Sequence, residues 1–261
     1  MVALIDFDSI LYTSVYKVVS FSQIREAIEL YGKDNARQWM KEEVLNEGVN
    51  RAENTILQIL EKLNSMLVDD ITGVELFITT CTKSFRKQID TTYKAKRKRN
   101  SWVWLLRDYY LMNDAKHSDT HEADDLIADR VEELGRENCV VVSIDKDLKQ
   151  IGGYYWSYYK ENLKNADGTF ITDEFGVKQR DFKYHEVEWI DKEQADYYFW
   201  EQMLVGDNVD NIKGIKGIGI KRAEKLLKQA KNNFIQVARC YLDKSTKEHF
   251  RKNYQLLKLG K

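Results

Sequence analysis

The residues of this sequence whose grouping first suggests chemistry are carboxylates. Asp6 and Asp8 close the apolar run that begins at Val2, and Glu122, Asp124 and Asp125 form an EADD run. Asp145 and Asp147 form IDKD directly after CVVVSI, and Asp207 and Asp210 lie three apart in GDNVDN. Any one of these clusters reads equally well as a helix cap or a loop, since acids at a helix start complement its dipole. Four of them at strand ends and helix starts are harder to dismiss. Two carboxylates packed 4 Å apart repel by about 4 kcal/mol at an effective dielectric of 20. Such a cluster requires raised pKa values or bound cations. Oxygen donors suit hard divalent ions such as Mg²⁺ or Mn²⁺. Two such ions held about 3.5–4 Å apart are a common device for cutting phosphodiesters. The four histidines show no ligand spacing, which argues against zinc.

Two basic segments complement the acids. Lys83 to Arg99 (KSFRKQIDTTYKAKRKR) holds eight Lys/Arg and one acid, with Phe85 and Tyr93 interleaved. Such a segment is either a solvated loop or a phosphate-binding one whose aromatics stack on bases. Lys213 to Lys231 (KGIKGIGIKRAEKLLKQAK) holds seven Lys/Arg and one acid. Gly214, Gly217 and Gly219 interrupt an Ile-rich turn before a helix that starts near Ile220. Small residues let the backbone approach a phosphate, and helix N-terminal amides bind it. The stretch GIKGIGIKRAEKLL looks like a helix–hairpin–helix element, which grips duplex backbone without reading sequence.

The elements that must position these groups follow from periodicity. Val2–Phe7, Val74–Ile78 and Cys139–Ile144 read as buried strands. The ranges 50–67, 102–111 and 122–134 read as helices. Strands alternating with helices predict an α/β fold with a mainly parallel sheet, whose active site lies beyond the strands' carboxyl ends. A hairpin is expected around Asp167-Gly168, within 154–187. From Asp191 onward the chain reads as helical apart from Gly206–Gly219. With 261 residues, 43% hydrophobic and 32% charged, the chain has enough apolar residue for a core. Net charge is −1, which excludes a uniformly basic or acidic protein and conceals the segregation above. No apolar run reaches the 18 or so residues of a membrane span. MVALIDFD does not read as a signal peptide. Three widely spaced cysteines form neither a disulfide framework nor a zinc pair and fit a reduced, cytoplasmic setting. Proline is absent, so turns rely on Gly, Asn and Asp.

Taken in order, LIDFDS, YKAKRKR, EADDLIA, VVSIDKDLKQI and GDNVDNIKGIKGIGIKRA resemble the structure-specific 5′-nuclease (flap endonuclease) family, which includes bacteriophage 5′-exonucleases and the 5′-nuclease domain of bacterial DNA polymerase I. The resemblance runs from Val2 to about Leu227. It implies a PIN-like nuclease core over residues 1–190 with a basic helical arch at about 80–118. Residues 191–261 would form a helical DNA-binding subdomain with a helix–three-turn–helix. Asp6, Glu122, Asp124 and Asp125 would serve mostly a first divalent ion, and Asp145, Asp147, Asp207 and Asp210 a second. Lys94 and Arg97 would contact the scissile phosphate and Tyr93 would stack on a base. Lys96, Lys98 and Arg99 in the arch would hold DNA, as would Gly214, Lys216, Gly217, Gly219, Lys221 and Arg222 in the hairpin. Carbonyls of Ile212, Ile215 and Ile218 would hold K⁺. The implied partners are DNA 5′ flaps, nicks or ends without sequence preference, RNA–DNA hybrids, and a DNA polymerase acting beside a monomeric chain. The compact size and lack of proline fit a phage-encoded protein.

Two departures from the family pattern stand out. The acid usually found just after the second strand is replaced by Thr79, Thr80 and Cys81. Asp8, Asp90 or water is expected to take its place. The hairpin's usual prolines are replaced by Lys213, Lys216 and Ile220. The missing acid leaves an alternative, a weakened homologue that binds branched DNA without cutting it. A PIN-type ribonuclease acting on single-stranded RNA is a third reading, disfavoured by the duplex-binding hairpin.

Overall fold

The computed structural model describes residues 1–97, 100–172 and 180–260; Lys98 and Arg99 fall outside these. Strand β1 (Val2–Asp6) leads into a short helix α1 (Asp8–Ser14) and a long helix α2 (Phe21–Met66). A capping box starts α2: the Ser20 hydroxyl accepts from the Gln23 amide, and the Gln23 side chain accepts from the Ser20 amide at 2.9 Å. Gly32, at φ 76°, interrupts α2 near its start. Periodicity located only 50–67 of this helix. Its earlier part buries small residues, Ala27, Ala36, Val44 and Gly48, which leave a weak apolar stripe.

The chain continues through β2 (Gly73–Phe77), α3 (Phe85–Ile89), α4 (Ser101–Met112), α5 (Ala123–Leu134) and β3 (Cys139–Val142). A 3₁₀ turn (Lys146–Ile151) precedes β4 (Gly153–Trp156), β5 (Tyr158–Asn162), β6 (Arg180–Tyr184) and β7 (Glu188–Ile190). Helix α6 (Lys192–Val205) is followed by two-residue strands β8 (Gly206–Asp207) and β9 (Ile212–Lys213), then α7 (Ile220–Lys228), α8 (Asn233–Lys244) and α9 (Lys247–Leu257).

The main sheet has the order β2-β1-β3-β4-β7, parallel except for β7. Side chains alternate between its faces. Ala3, Ile5, Val140 and Val142 pack with Ile59, Leu63 and Leu106 from α2 and α4. Leu4 and Val141 pack on the other face with Ile127 and Val131 of α5. Gly48 lets α4 cross α2 closely, since a Cβ there would already touch Leu106 at 3.4 Å. A third apolar cluster, including Phe199, Met203, Leu227 and Tyr241, ties α6 to α7, α8 and α9. Tyr93 of the basic segment is buried in this cluster rather than in the sheet's. The expected hairpin is present: β5 pairs antiparallel with β6, and Lys164 bridges Phe170 around a turn with Gly168 at φ 85°.

Candidate active site

The parallel register places the acids. Ile5 sits opposite Val142, so the next residues, Asp6 and Ser143, emerge side by side at the carboxyl edge. The Ser143 hydroxyl donates to Asp6 Oδ2 at 2.7 Å and accepts from the Asp145 amide at 2.9 Å. One buried serine thus joins two of the four acid clusters. Asp145 Oδ1 then accepts from the Asp147 amide, capping the 3₁₀ turn. Gln202 of α6 donates to Asp147 Oδ2 at 2.5 Å, which brings α6 and the acids that follow it to the same edge. Asp207 caps its own turn, accepting from the Val209 amide at 2.7 Å. Glu122, Asp124, Asp145, Asp147, Asp207 and Asp210 all line one small cavity of about 30 Å³.

This crowding is written in the proton affinities. Burial, then Asp8, pushes the Asp6 carboxyl up to about 7, against the Ser143 hydrogen bond. Burial, then Asp145 and Asp207, pushes Asp147 up to about 7 as well. Asp124 is also raised, by burial and by Asp6. Carboxyls held this way relax when a cation arrives. The donors are all oxygen, which fits hard divalent ions. Among the described residues, however, no three acids stand together as a finished ligand cage.

The basic segment accounts for part of that. Lys94, in a left-handed backbone conformation at φ 51°, places its ammonium 2.6 Å from Glu122 Oε2 and 3.4 Å from Asp210. Arg97 holds Asp210 Oδ1 at 2.6 Å. The Tyr93 hydroxyl donates to Glu122 at 2.8 Å and to Asp210 at 3.1 Å. Backbone contacts fasten the segment to the same loop: the Lys94 amide donates to the Asp210 carbonyl, and Asn211 donates to the Thr92 carbonyl. Burial alone would raise the Glu122 carboxyl, but Lys94 and Arg86 outweigh it and bring it below its ordinary value. The Cys81 thiol is pushed up to about 12, by burial first and Glu122 second.

Several expected roles change in the folded chain. Asp125 is turned away from the cavity. It accepts both guanidinium bonds of Arg86, at 2.5 and 2.7 Å, and closes the α5 capping box on the Glu122 amide. Tyr93 is 3% exposed, so its ring offers no face to a base. Asp8 accepts from the Thr79 amide and pairs with Arg107 at 3.0 Å, and Asp90 pairs with Lys252. Both carboxylates are thus engaged by cations, although Asp8 remains the leading charge acting on Asp6. The Thr79 hydroxyl instead accepts from the Ala123 amide at the start of α5. Gly214 is a packing glycine: a Cβ there would meet the Val205 carbonyl carbon at 2.2 Å. Gly217 and Gly219 face open space, and Lys96, Lys216, Lys221 and Arg222 are exposed. Ile212, Ile215 and Ile218 bury their side chains in the α6–α9 cluster, and the Ile215 carbonyl accepts from Ile218 N.

Arg86 was not among the expected site residues. It is 1% exposed, and its Nε donates to the Leu256 carbonyl at 2.7 Å. Its adjacency to Phe85 was the only local sign of it. Ser143, two residues before Asp145, was legible as a polar break in an apolar strand. Gln202 carried no local signal.

No family model matches this chain. It is 34% identical over 116 residues to DNA polymerase I of Borreliella burgdorferi, covering 42% of this chain and 11% of that protein. It is 30% identical to a 5′-3′ exonuclease of Mycoplasma pneumoniae, covering 58% of this chain and 51% of that one. It is 28% identical to flap endonuclease Xni of Psychromonas ingrahamii, over 59% and 58%. The chain therefore spans between about a tenth and somewhat over half of these relatives. Among solved structures it is similar in fold to bacteriophage T5 5′-exonuclease with divalent zinc, at a TM-score of 0.54 and 13% identity, covering 98% of this chain and 88% of that one. The bacteriophage T5 flap endonuclease complex with DNA and metal ions gives a TM-score of 0.53 at 13% identity, over the same shares.

Proposed function

From a resemblance to the 5′-nucleases that holds in both sequence and fold, we propose that this chain is a divalent-metal-dependent 5′-nuclease. Its substrates are 5′ flaps, nicks or ends of duplex DNA, with RNA–DNA hybrids a second class. The observation that carries this reading is the gathering of acids from three segments in one cavity, with Asp6 joined to them through Ser143, facing Lys94 and Arg97. Asp6, Asp124, Asp145, Asp147 and Asp207 are the residues suited to hold two Mg²⁺ or Mn²⁺ ions, with Glu122 and Asp210 joining as Lys94 and Arg97 release them. When bound, such ions supply charge neutralisation and an activated water for in-line attack on phosphorus.

The chain's own groups do the rest. Lys94 and Arg97 exchange carboxylate contacts for the scissile phosphate and stabilise charge developing there. The Tyr93 hydroxyl keeps Glu122 and Asp210 oriented during that exchange. Gly217, Gly219, Lys216, Lys221 and Arg222 present amides and cations to the duplex backbone, so selection is by shape. The arch, the division into a nuclease core and a helical subdomain, K⁺ at the hairpin carbonyls and a polymerase partner belong to the same proposal.

Cleavage of a 5′-labelled flap duplex, compared in Mg²⁺, Mn²⁺ and EDTA, tests it. Metal-dependent release of a short labelled product, abolished by Asp145→Asn or Asp207→Asn, is the expected result. Tight flap binding without cutting in either metal would establish the binding-only alternative and point to Thr79–Cys81 as its cause. Faster cutting of single-stranded RNA than of flapped DNA would overturn the duplex reading.

A further inference from the structure

The last carbonyls of an α-helix have no partner within it and must find one outside. In α9 the Leu256 carbonyl accepts from Arg86 Nε at 2.7 Å, and the Leu257 carbonyl accepts from Gln150 Nε2 at 3.1 Å. The chain beyond the helix goes on using the same two side chains. Arg86 also donates to the Lys258 carbonyl at 3.3 Å, and the Leu259 amide donates to Gln150 Oε1 at 3.3 Å. Gln150 is buried, and both ends of its amide are taken up by this one segment.

Both side chains stand on elements that carry acids. Gln150 belongs to the 3₁₀ turn that Asp145 caps and that contains Asp147. Arg86 holds Asp125, next to Asp124 in the first turn of α5, and its Nη1 lies 3.7 Å from Glu122. Leu256 and Leu257 are buried in the α6–α9 cluster, whereas Leu259 packs on the cluster that α5 shares with Leu148 and Ile151 of the turn. Gly260, at φ 74°, lies so close to α5 that a Cβ there would come within 3.3 Å of the Ala128 Cβ. Leu256, Leu257 and Leu259 line the acidic cavity together with Arg86 and Gln150. Residues 256–260 are therefore bonded to both acid-bearing elements at once. Packed carboxylates repel, so elements that carry them need an outside restraint to stay close. Mg²⁺ tolerates little departure from octahedral contacts of about 2.0–2.1 Å, so their separation matters. We infer that residues 256–260 form a strap that sets the spacing between the start of α5 and the 3₁₀ turn, with Gln150 as the positioning residue through which it acts on Asp145 and Asp147. That role rests on the proposed nuclease reading, in which these acids hold divalent ions.

The test is Mn²⁺ binding without DNA, read from the electron paramagnetic resonance signal of the free ion. Gln150→Met keeps the side chain's length and loses both hydrogen bonds. Leu259→Ser loosens the segment without touching a hydrogen-bonding side chain. Each is expected to bind Mn²⁺ at least ~10-fold more weakly than wild type, the usual effect of losing a contact that supports metal ligands. Ile59→Val, in the core on the sheet's other face, should lower the melting temperature and leave Mn²⁺ affinity unchanged. In flap cutting, Gln150→Met should raise the Mg²⁺ concentration for half-maximal rate by a similar factor, with KM for DNA unchanged. Lower melting temperatures with wild-type Mn²⁺ affinity in both strap variants, or an equal loss in Ile59→Val, would make the segment merely structural and overturn the inference. Weakening in Leu259→Ser alone overturns the assignment to Gln150, and weakening in Gln150→Met alone overturns the strap. If wild type cuts no flap yet Mn²⁺ affinity falls in both variants, the nuclease reading fails and the strap stands. If wild type cuts flaps while both variants keep their Mn²⁺ affinity, the strap fails and the nuclease reading stands. A wild type that binds no Mn²⁺ overturns both.

Discussion

Replacing Arg86 by Met removes a cation that four acceptors share. The guanidinium makes two bonds to Asp125 and donates to the carbonyls of Leu256 and Lys258, with side-chain exposures of 2% and 1% for the Arg86–Asp125 pair. At that burial, solvent cannot take over the lost bonds. The substitution leaves a carboxylate uncompensated inside the protein, and breaking a buried pair this way costs about 3–5 kcal/mol. For a chain of this length each kcal/mol lowers the melting temperature by roughly 2–4 °C, so a drop of about 6–20 °C is expected. Thermal and urea unfolding followed by circular dichroism measure it. Arg86→Lys should recover little, because an ammonium cannot match the two-pronged geometry. Removing both charges, as Arg86→Met with Asp125→Leu, should recover most of the loss, short of about 1 kcal/mol for the broken α5 cap. A loss below about 1 kcal/mol in the single variant, or a double variant less stable than the single, would refute the reasoning that the pair is buried and mutually dependent.

Other expectations concern the hairpin and the basic segment. Gly214→Ala should destabilise by about 1–3 kcal/mol because its Cβ would strike Val205 backbone, whereas Gly219→Ala, with open space around it, should stay within about 0.5 kcal/mol in the same melts. Lys94→Ala and Arg97→Ala should each lower turnover at least ~100-fold while duplex affinity persists. Equal loss of both in single-turnover and anisotropy measurements would contradict their assignment. Lys216→Ala with Lys221→Ala should flatten the salt slope of duplex binding by about 2, with single-turnover cutting at saturating enzyme unchanged. Asp90 is held at about 2, chiefly by its hydrogen bond from Lys252 and then from Thr92. Its folded pKa lies below the unfolded one, so the pair's contribution is present above pH ~4 and is lost as pH falls toward 2. Because Lys252 is 45% exposed, that contribution is about 1 kcal/mol or less. Lys252→Ala should therefore lower stability at pH 6 but not at pH 2 in acid titrations.

Much of this site was legible along the chain because its elements are locally encoded. VALID and CVVV are short buried strands, the first ending in Asp6 and the second running into Ser143, and a strand's carboxyl end is where a parallel sheet opens. EADD at a helix start carries both a capping box and the acids that enter the cavity, so helix and site coincide in four residues. The hairpin's glycines announced a turn between two helices. What each charge faces was decided elsewhere. Asp124 and Asp125 are neighbours of one type, yet one lines the cavity and the other is held by Arg86, 39 residues away in sequence. Tyr93 sits in a basic segment that reads as solvent-facing, yet α6–α9 bury its ring and its hydroxyl orients two acids. Gly214 and Gly219 belong to one motif, but only the first abuts another backbone. Local periodicity records which face of an element is apolar. It holds no record of which remote element closes over that face, and the partner of a buried charge is set by that closure alone.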